Sequence, residues 1–189
     1  NGTFMQEVES VFDVPYSGHT YSSTYSSSEP GTVHAMGRLD SSTAWISLTG
    51  NTNEWFQMDM EQPVGIAGVV TKGRHGFPRW VTSFTVQSSL NEIDWTPVDN
   101  GFLFTGNNDE DTPVHNLFSH PIHTRYIRIH PWTWYPSTAS ISLRAGVLLS
   151  ETTQCTLCSV CPTGQYATTA CTATTDTVLS LIHISEPTR

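Results

Sequence analysis

The sequence predicts an all-β domain, an antiparallel sandwich or barrel of jelly-roll type, on three observations. Apolar residues recur with period two, Gly, Pro, Asn and Asp punctuate the intervals, and no stretch offers a capped amphipathic helix of normal length. In chain order, the alternation shows first at 83–87, SFTVQ, where Phe84 and Val86 share one face of a half-buried strand. It returns at 125–130, with Arg125, Ile127 and Ile129 against Tyr126, Arg128 and His130. It closes at 141–149, where Ile141, Leu143, Ala145, Val147 and Leu149 point inward and Ser142, Arg144 and Gly146 point out. Turn residues cluster at 50–53, 73–78, 99–101, 106–113 and 131–136. Six or more short strands joined by such turns in about 140 residues fit two antiparallel sheets packed face to face or one sheet closed on itself. Phe84, Val86, Ile127, Ile129, Ile141 and Leu143 are the expected core, and six Trp residues add apolar volume.

Composition narrows the class. The 189 residues carry 8 Lys+Arg against 17 Asp+Glu, a net charge of -9, and only 13% are charged, well under the usual quarter. Ser and Thr take the place of charge, as suits an extracellular β protein. With a single lysine, Lys72, no basic face exists to neutralise a run of phosphates, so general nucleic-acid binding is excluded. No apolar run approaches the roughly 18 residues of a membrane span. No signal peptide is expected within these residues, and the opening at Asn1 without Met is read as a cut from something longer. Four segments follow: a polar lead-in at 1–11, the domain at 12–150, a Thr-rich stretch at 151–178 with all four cysteines, and a tail at 179–189. The tail, LSLIHISEPTR, resembles the translation of a transposase adapter used in sequencing-library preparation, and is set aside from fold and function. The native chain is expected to continue past Val178 into further extracellular domains.

The runs YSSTYSSS, GRLDSSTAW, EWFQMDM, GVVTKGR, WVTSFTVQSS, DWTPVDNG, FTGNND and PIHTRYIRIHPWTW, then ISLRAGVLL, resemble in order and spacing the discoidin family, the coagulation factor 5/8 C-terminal type domain. The likeness covers roughly 14–149. It implies a galactose-binding-like fold: an eight-stranded jelly-roll barrel whose loops project from one end as binding spikes, without a catalytic centre. Two departures stand out. Relatives commonly tie their first and last strands with a disulfide, and this block has no cysteine, so it must close by packing alone. Relatives that hold a structural calcium use a Glu where this chain has Gly146, together with an Asp and a Thr of the early loop. Asp40 and Thr43 are present as weak calcium candidates, but a hard cation wants six or more oxygens, and no cofactor is expected.

The resemblance places function in the loops, which vary without disturbing a rigid sandwich. The third spike, 72–80, reads KGRHGFPRW and concentrates a Lys, two Arg, a His and two aromatics. A guanidinium at Arg74 or Arg79 grips paired hydroxyls or a carboxylate, and Phe77 or Trp80 offers a face to a sugar ring. Arg74 reads equally as framework and Trp80 as the start of a core strand, so His75, Phe77 and Arg79 are the preferred contacts. The first spike, YSSSEPGTVHA, adds His34. It lacks the bulky apolar tip with basic residues behind it that membrane-inserting relatives use, and a net charge of -9 repels anionic membranes. A glycan or glycoprotein is therefore the expected partner, and anionic phospholipid the alternative.

Other chemistry fares less well. His115, His120, His123 and His130 lie within sixteen residues, but His123 and His130 fall on opposite faces of a strand and no HExxH exists. The acidic run 109–111 reads as a solvated turn. Neither a Gly-x-Ser-x-Gly elbow nor a Gly-rich phosphate loop occurs, so nothing names a nucleophile and no enzyme is expected. The rival of another class is an accessory binding module of a secreted hydrolase or oxidase. Cys155, Cys158, Cys161 and Cys171 are spaced C-x2-C-x2-C-x9-C. That opens like a ferredoxin, but the fourth cysteine comes ten residues on. The Thr-rich setting favours disulfides in an oxidising compartment, and the stretch resembles the cysteine-rich repeats of ephrin-receptor and tumour-necrosis-receptor ectodomains. Its connectivity stays open. Asn1-Gly2-Thr3 is the only N-glycosylation acceptor.

Overall fold

A computed structural model describes residues 10–150 and the backbone of two short strands beyond them. The strands are β1 (Ser10–Phe12), β2 (His19–Tyr21), β3 (Trp45–Ile46), β4 (Phe56–Lys72), β5 (Trp80–Ser89), β6 (Thr96–Pro97), β7 (Phe104–Thr105), β8 (Val114–Tyr135), β9 (Ser142–Leu149), β10 (Tyr166–Ala167) and β11 (Leu179–Ser180). The first nine form one antiparallel sheet in the order β1-β9-β4-β8-β5-β6, with β2 on β4, β3 on β9 and β7 on β5.

Two long strands make this sheet curl. β4 and β8 pair from Phe56↔Ile129 to Thr71↔Val114, with register shifts between Asp59 and Val64 and between Ile66 and Gly68. A bulge bends a strand and sharpens its twist, so each strand turns from one layer into the other. Glu61 takes a left-handed φ of 66° at the first bulge, and Pro63, which cannot donate to a ladder, sits in the unpaired gap. At the second, a Cβ on Gly68 would lie 2.3 Å from the Asn116 carbonyl oxygen, so only glycine fits. The first half of β4 is flanked by β2 and its second half by β9, while the second half of β8 carries β5. The curled sheet is the predicted jelly-roll type of barrel.

Its interior holds all six expected core residues, each fully buried, beside Trp45, Phe56 and Met58. Two expectations are corrected. Ser142, Arg144 and Gly146 do not face solvent: Ser142 and Arg144 are as buried as their neighbours, because the loop around Leu39 covers the outer face of β9. Of the six Trp residues only Trp45 is core, and Trp132 is 57% exposed. Closure runs through three rungs, Ser10↔Leu149, Val11↔Leu148 and Phe12↔Val147, where many relatives are expected to use a disulfide.

Residues 151–189 cluster as a separate unit. Tyr166–Ala167 pairs with Leu179–Ser180 there, and Cys155, Cys158, Cys161 and Cys171 lie outside the described residues, as do Asn1-Gly2-Thr3 and 181–189. Among the described residues no helix is long and apolar enough to cross a membrane.

Candidate ligand-binding end

The third spike is the turn between β4 and β5. Arg74 N–H donates to the Arg79 carbonyl at 2.8 Å and Phe77 N–H to the Arg74 carbonyl at 3.2 Å. Gly76, at φ +67°, supplies the left-handed residue at the apex, with open space around it. At the base a Cβ on Gly73 would lie 2.8 Å from the Asp109 carbonyl oxygen, so the backbone of the 106–113 loop approaches closely. Phe77 remains 45% exposed. The Arg74 guanidinium lies 4.5 Å from its ring centroid and that of Arg79 5.4 Å. Trp80 stacks on Tyr135 at 4.6 Å.

Beside this turn lies an open cleft of about 440 Å³ lined by Leu39, Asp40, Ser41, Ser42, Lys72, His75, Asp111 and Arg144. Its construction depends on Arg144, which projects from β9 and is 2% exposed. Arg144 Nε donates to the Gly73 carbonyl at 2.7 Å, Nη1 to the carbonyls of Leu39 and Ser41, and Nη2 to the Glu110 carbonyl and to Asp111 Oδ1 at 2.6 Å. One guanidinium thereby holds three loops, and the rigid fork of Arg suits that role. Asp111 also meets His75 Nδ1 at 2.9 Å. Arg144 first, and His75 after it, hold the Asp111 carboxyl below the usual carboxylate range.

The first spike is fixed differently. The buried Glu54 carboxylate accepts from the hydroxyls of Ser22, Ser23 (2.7 Å) and Thr49 (2.5 Å) and from Thr49 N–H (3.3 Å). Burial pushes its pKa up, but the hydroxyl bonds together outweigh burial and hold it low. Glu54→Gln should cost about 1.5 to 3 kcal/mol at neutral pH, since bonds to a charged acceptor are lost. A folded pKa below the unfolded one gives stability that is present above the unfolded value and lost as pH falls through the folded value. The gap between Glu54→Gln and wild type in urea melts should therefore narrow below about pH 4.3, the unperturbed value for Glu. A gap that does not change with pH would show that charge plays no part.

The preferred contact residues separate in space. His75 lines the cleft with Asp40, while Phe77, Arg74 and Arg79 form the cation-aromatic turn next to it and are not among the cleft's lining residues. His34 sits on the first spike, 5.1 Å from Tyr25 edge to face, with a buried Nδ1 that lacks a partner. Asp40 is exposed and meets only Arg38 at 3.4 Å, and Thr43 is half-buried. A Cβ on Gly146 would lie 2.7 Å from Leu39 Cδ1 and 2.9 Å from the Phe12 carbonyl oxygen, so this packing has no room for an acid there. Among the described residues, no three His, Cys, Asp or Glu side chains are grouped for a metal. His130 Nε2 meets Gln87 Oε1 at 3.1 Å, and burial lowers its pKa to about 4. Sequence reasoning does not single out Lys72, Asp111, Arg144 or Glu54 as site residues. Those of them that are bonded have distant hydroxyls, side chains and backbone carbonyls as partners, which leave no spacing pattern.

Comparison with known proteins agrees with this architecture. A family model for the F5/8 type C domain matches residues 20–147, and one for the TNFR/NGFR cysteine-rich region matches 149–178. The chain is 38% identical over 106 residues to a Discoidin-1 polypeptide of Dictyostelium discoideum, covering 56% of this chain and 41% of that protein. It thus spans less than half of that relative's length. Native recombinant discoidin II from the same organism superposes with a TM-score of 0.58 at 24% identity, over 72% of this chain and 56% of that one. A family 32 carbohydrate-binding module from C. perfringens NanJ, solved in complex with galactose, superposes with a TM-score of 0.53 at 15% identity, over 75% and 99%. Since the family match covers 128 of the 189 residues and coincides with the curled sheet and its projecting loops, the chain belongs to the F5/8 type C (discoidin) domain family.

Proposed function

We propose that this domain is an extracellular, non-catalytic recognition module that binds carbohydrate through the loops at the third-spike end, in cell adhesion or glycan capture. The observation that carries this reading is the exposed Phe77 ring flanked by two guanidiniums beside a polar cleft. A sugar presents a C–H face that stacks on an aromatic ring and hydroxyl pairs that match forked donors. In the cleft, His75 turns Nδ1 to Asp111, which leaves Nε2 to a ligand. The galactose complex of the carbohydrate-binding module, a neighbour in fold, supports the same class of ligand. The extracellular setting is supported by the Ser/Thr-rich, weakly charged composition and by the TNFR/NGFR-like cysteine-rich match that follows the domain.

Glycan-array and titration measurements test the site. Phe77→Ala or Arg79→Ala should weaken glycan binding by about 1 to 3 kcal/mol with the melting temperature nearly unchanged, because neither side chain belongs to the core. Binding that survives both changes would remove the third spike from the site.

A further inference from the structure

The end of β4 carries Lys72 and the turn to β5 carries Arg74 and Arg79, and among the described residues none of the three meets a carboxylate at ion-pair distance. Among the described residues, three of the other cations are paired with carboxylates and Arg128 is held by rings and an amide. Arg38 is on Asp13, Arg125 on Asp59 and Arg144 on Asp111. Arg128 lies between the rings of Trp55 and Trp95, at 4.0 and 3.9 Å, and donates to Gln57. A chain of net charge -9 thus gathers three half-buried positive charges without a carboxylate partner at the end of β4 and the turn after it.

The geometry of two of them is specific. Arg74 and Arg79 both sit against the Phe77 ring, so their guanidinium carbons are about 10 Å apart at most, comparable with the screening length at 0.1 M salt. The like charges feel one another: burial first, and the Arg79 charge second, lower the Arg74 pKa. An anion seated beside Phe77 would relieve that repulsion and meet two planar forks, the geometry that matches carboxylate and sulfate oxygens. Lys72 adds a third positive charge in the adjoining cleft.

We infer that the ligand of this end is an acidic glycan, whose ring lies on Phe77 and whose carboxylate or sulfate groups are held by Arg74, Arg79 and Lys72. This rests on the carbohydrate reading above and narrows it from sugars in general to negatively charged ones.

The test compares three probes by titration with the full chain: oligogalacturonate, a neutral galactan oligosaccharide of the same length, and phosphatidylserine vesicles. Oligogalacturonate should bind about tenfold or more tightly than galactan at low salt, and the difference should close as salt shortens the screening length. R74Q/R79Q should abolish the difference, and R74K/R79K should keep part of it, since charge remains while the fork is lost. K72Q, read separately, should reduce the difference even if the double variant is destabilised. Equal binding of the two glycans would overturn the acidic-ligand inference and leave the carbohydrate reading standing. Binding to neither glycan, with no signal on a broad array, would overturn both. Binding to the vesicles alone would assign the cations to a lipid headgroup and overturn the inference.

Discussion

Arg144→Met should destabilise the domain by about 3 to 5 kcal/mol, as expected for removing one partner of a buried charged network. Methionine fills much of the volume but returns none of the donors, so the carbonyls of Gly73, Leu39, Ser41 and Glu110 and the Asp111 carboxylate lose their shared partner together. Each buried acceptor left unsatisfied costs about 1 to 3 kcal/mol unless water reaches it, and the open cleft lets water reach some of them. Arg144→Lys should not rescue fully, since one ammonium cannot span the five bonds of a planar fork. Urea unfolding measures this directly. A loss under about 1 kcal/mol for Arg144→Met would mean that the three loops are held independently, against the usual cost of orphaned buried acceptors.

Trp45→Ala should cost a similar amount, about 3 to 5 kcal/mol, by cavity formation in the core. Its indole is fully buried, stacks on Tyr21 at 5.5 Å with planes only 7° apart, and donates Nε1–H to the Ser23 carbonyl at 2.8 Å. Trp45→Phe separates the two contributions: it keeps an aromatic ring and loses the bond, and should cost about 1 kcal/mol plus imperfect packing. Because the acceptor lies at the root of the first spike, Trp45→Phe should also speed amide exchange in 22–28, which fluorescence-monitored unfolding would not detect. Unchanged exchange there would show that the Glu54 hub alone secures the spike.

Period-two alternation is enough to read β5, the second half of β8, β9 and six core residues, because a side chain's face is a local property of an extended backbone. It fails where a second layer covers the outer face: Arg144 alternates with apolar residues and so reads as solvent-facing, yet the loop around Leu39 lies over it. The full length of β4 is equally hidden, since its irregular middle, around Glu61 and Pro63, reads as a break and is a bulge. At the candidate site the residue types are legible and the grouping is not. His75, Phe77 and Arg79 are close in sequence, but Asp111 draws His75 into the cleft while the two arginines take Phe77. That division depends on Asp111, thirty-six residues from His75.

The pairing of β4 with β8 has a consequence for synthesis. Phe56 meets Ile129, and Ser10 at the front of the sheet meets Leu149 at its end. Contacts so distant in sequence return nothing until the loop between them is closed, which makes such topologies slow to fold. Within the first hundred residues the sheet can form short pairings such as β2 with β4 and β5 with β6, but on the ribosome the barrel closes only when its last strand has left the exit tunnel. Whatever follows residue 150 is therefore what tethers the chain during that event. In this protein the tether matches a cysteine-rich region, so its four cysteines leave the ribosome after a domain that contains none.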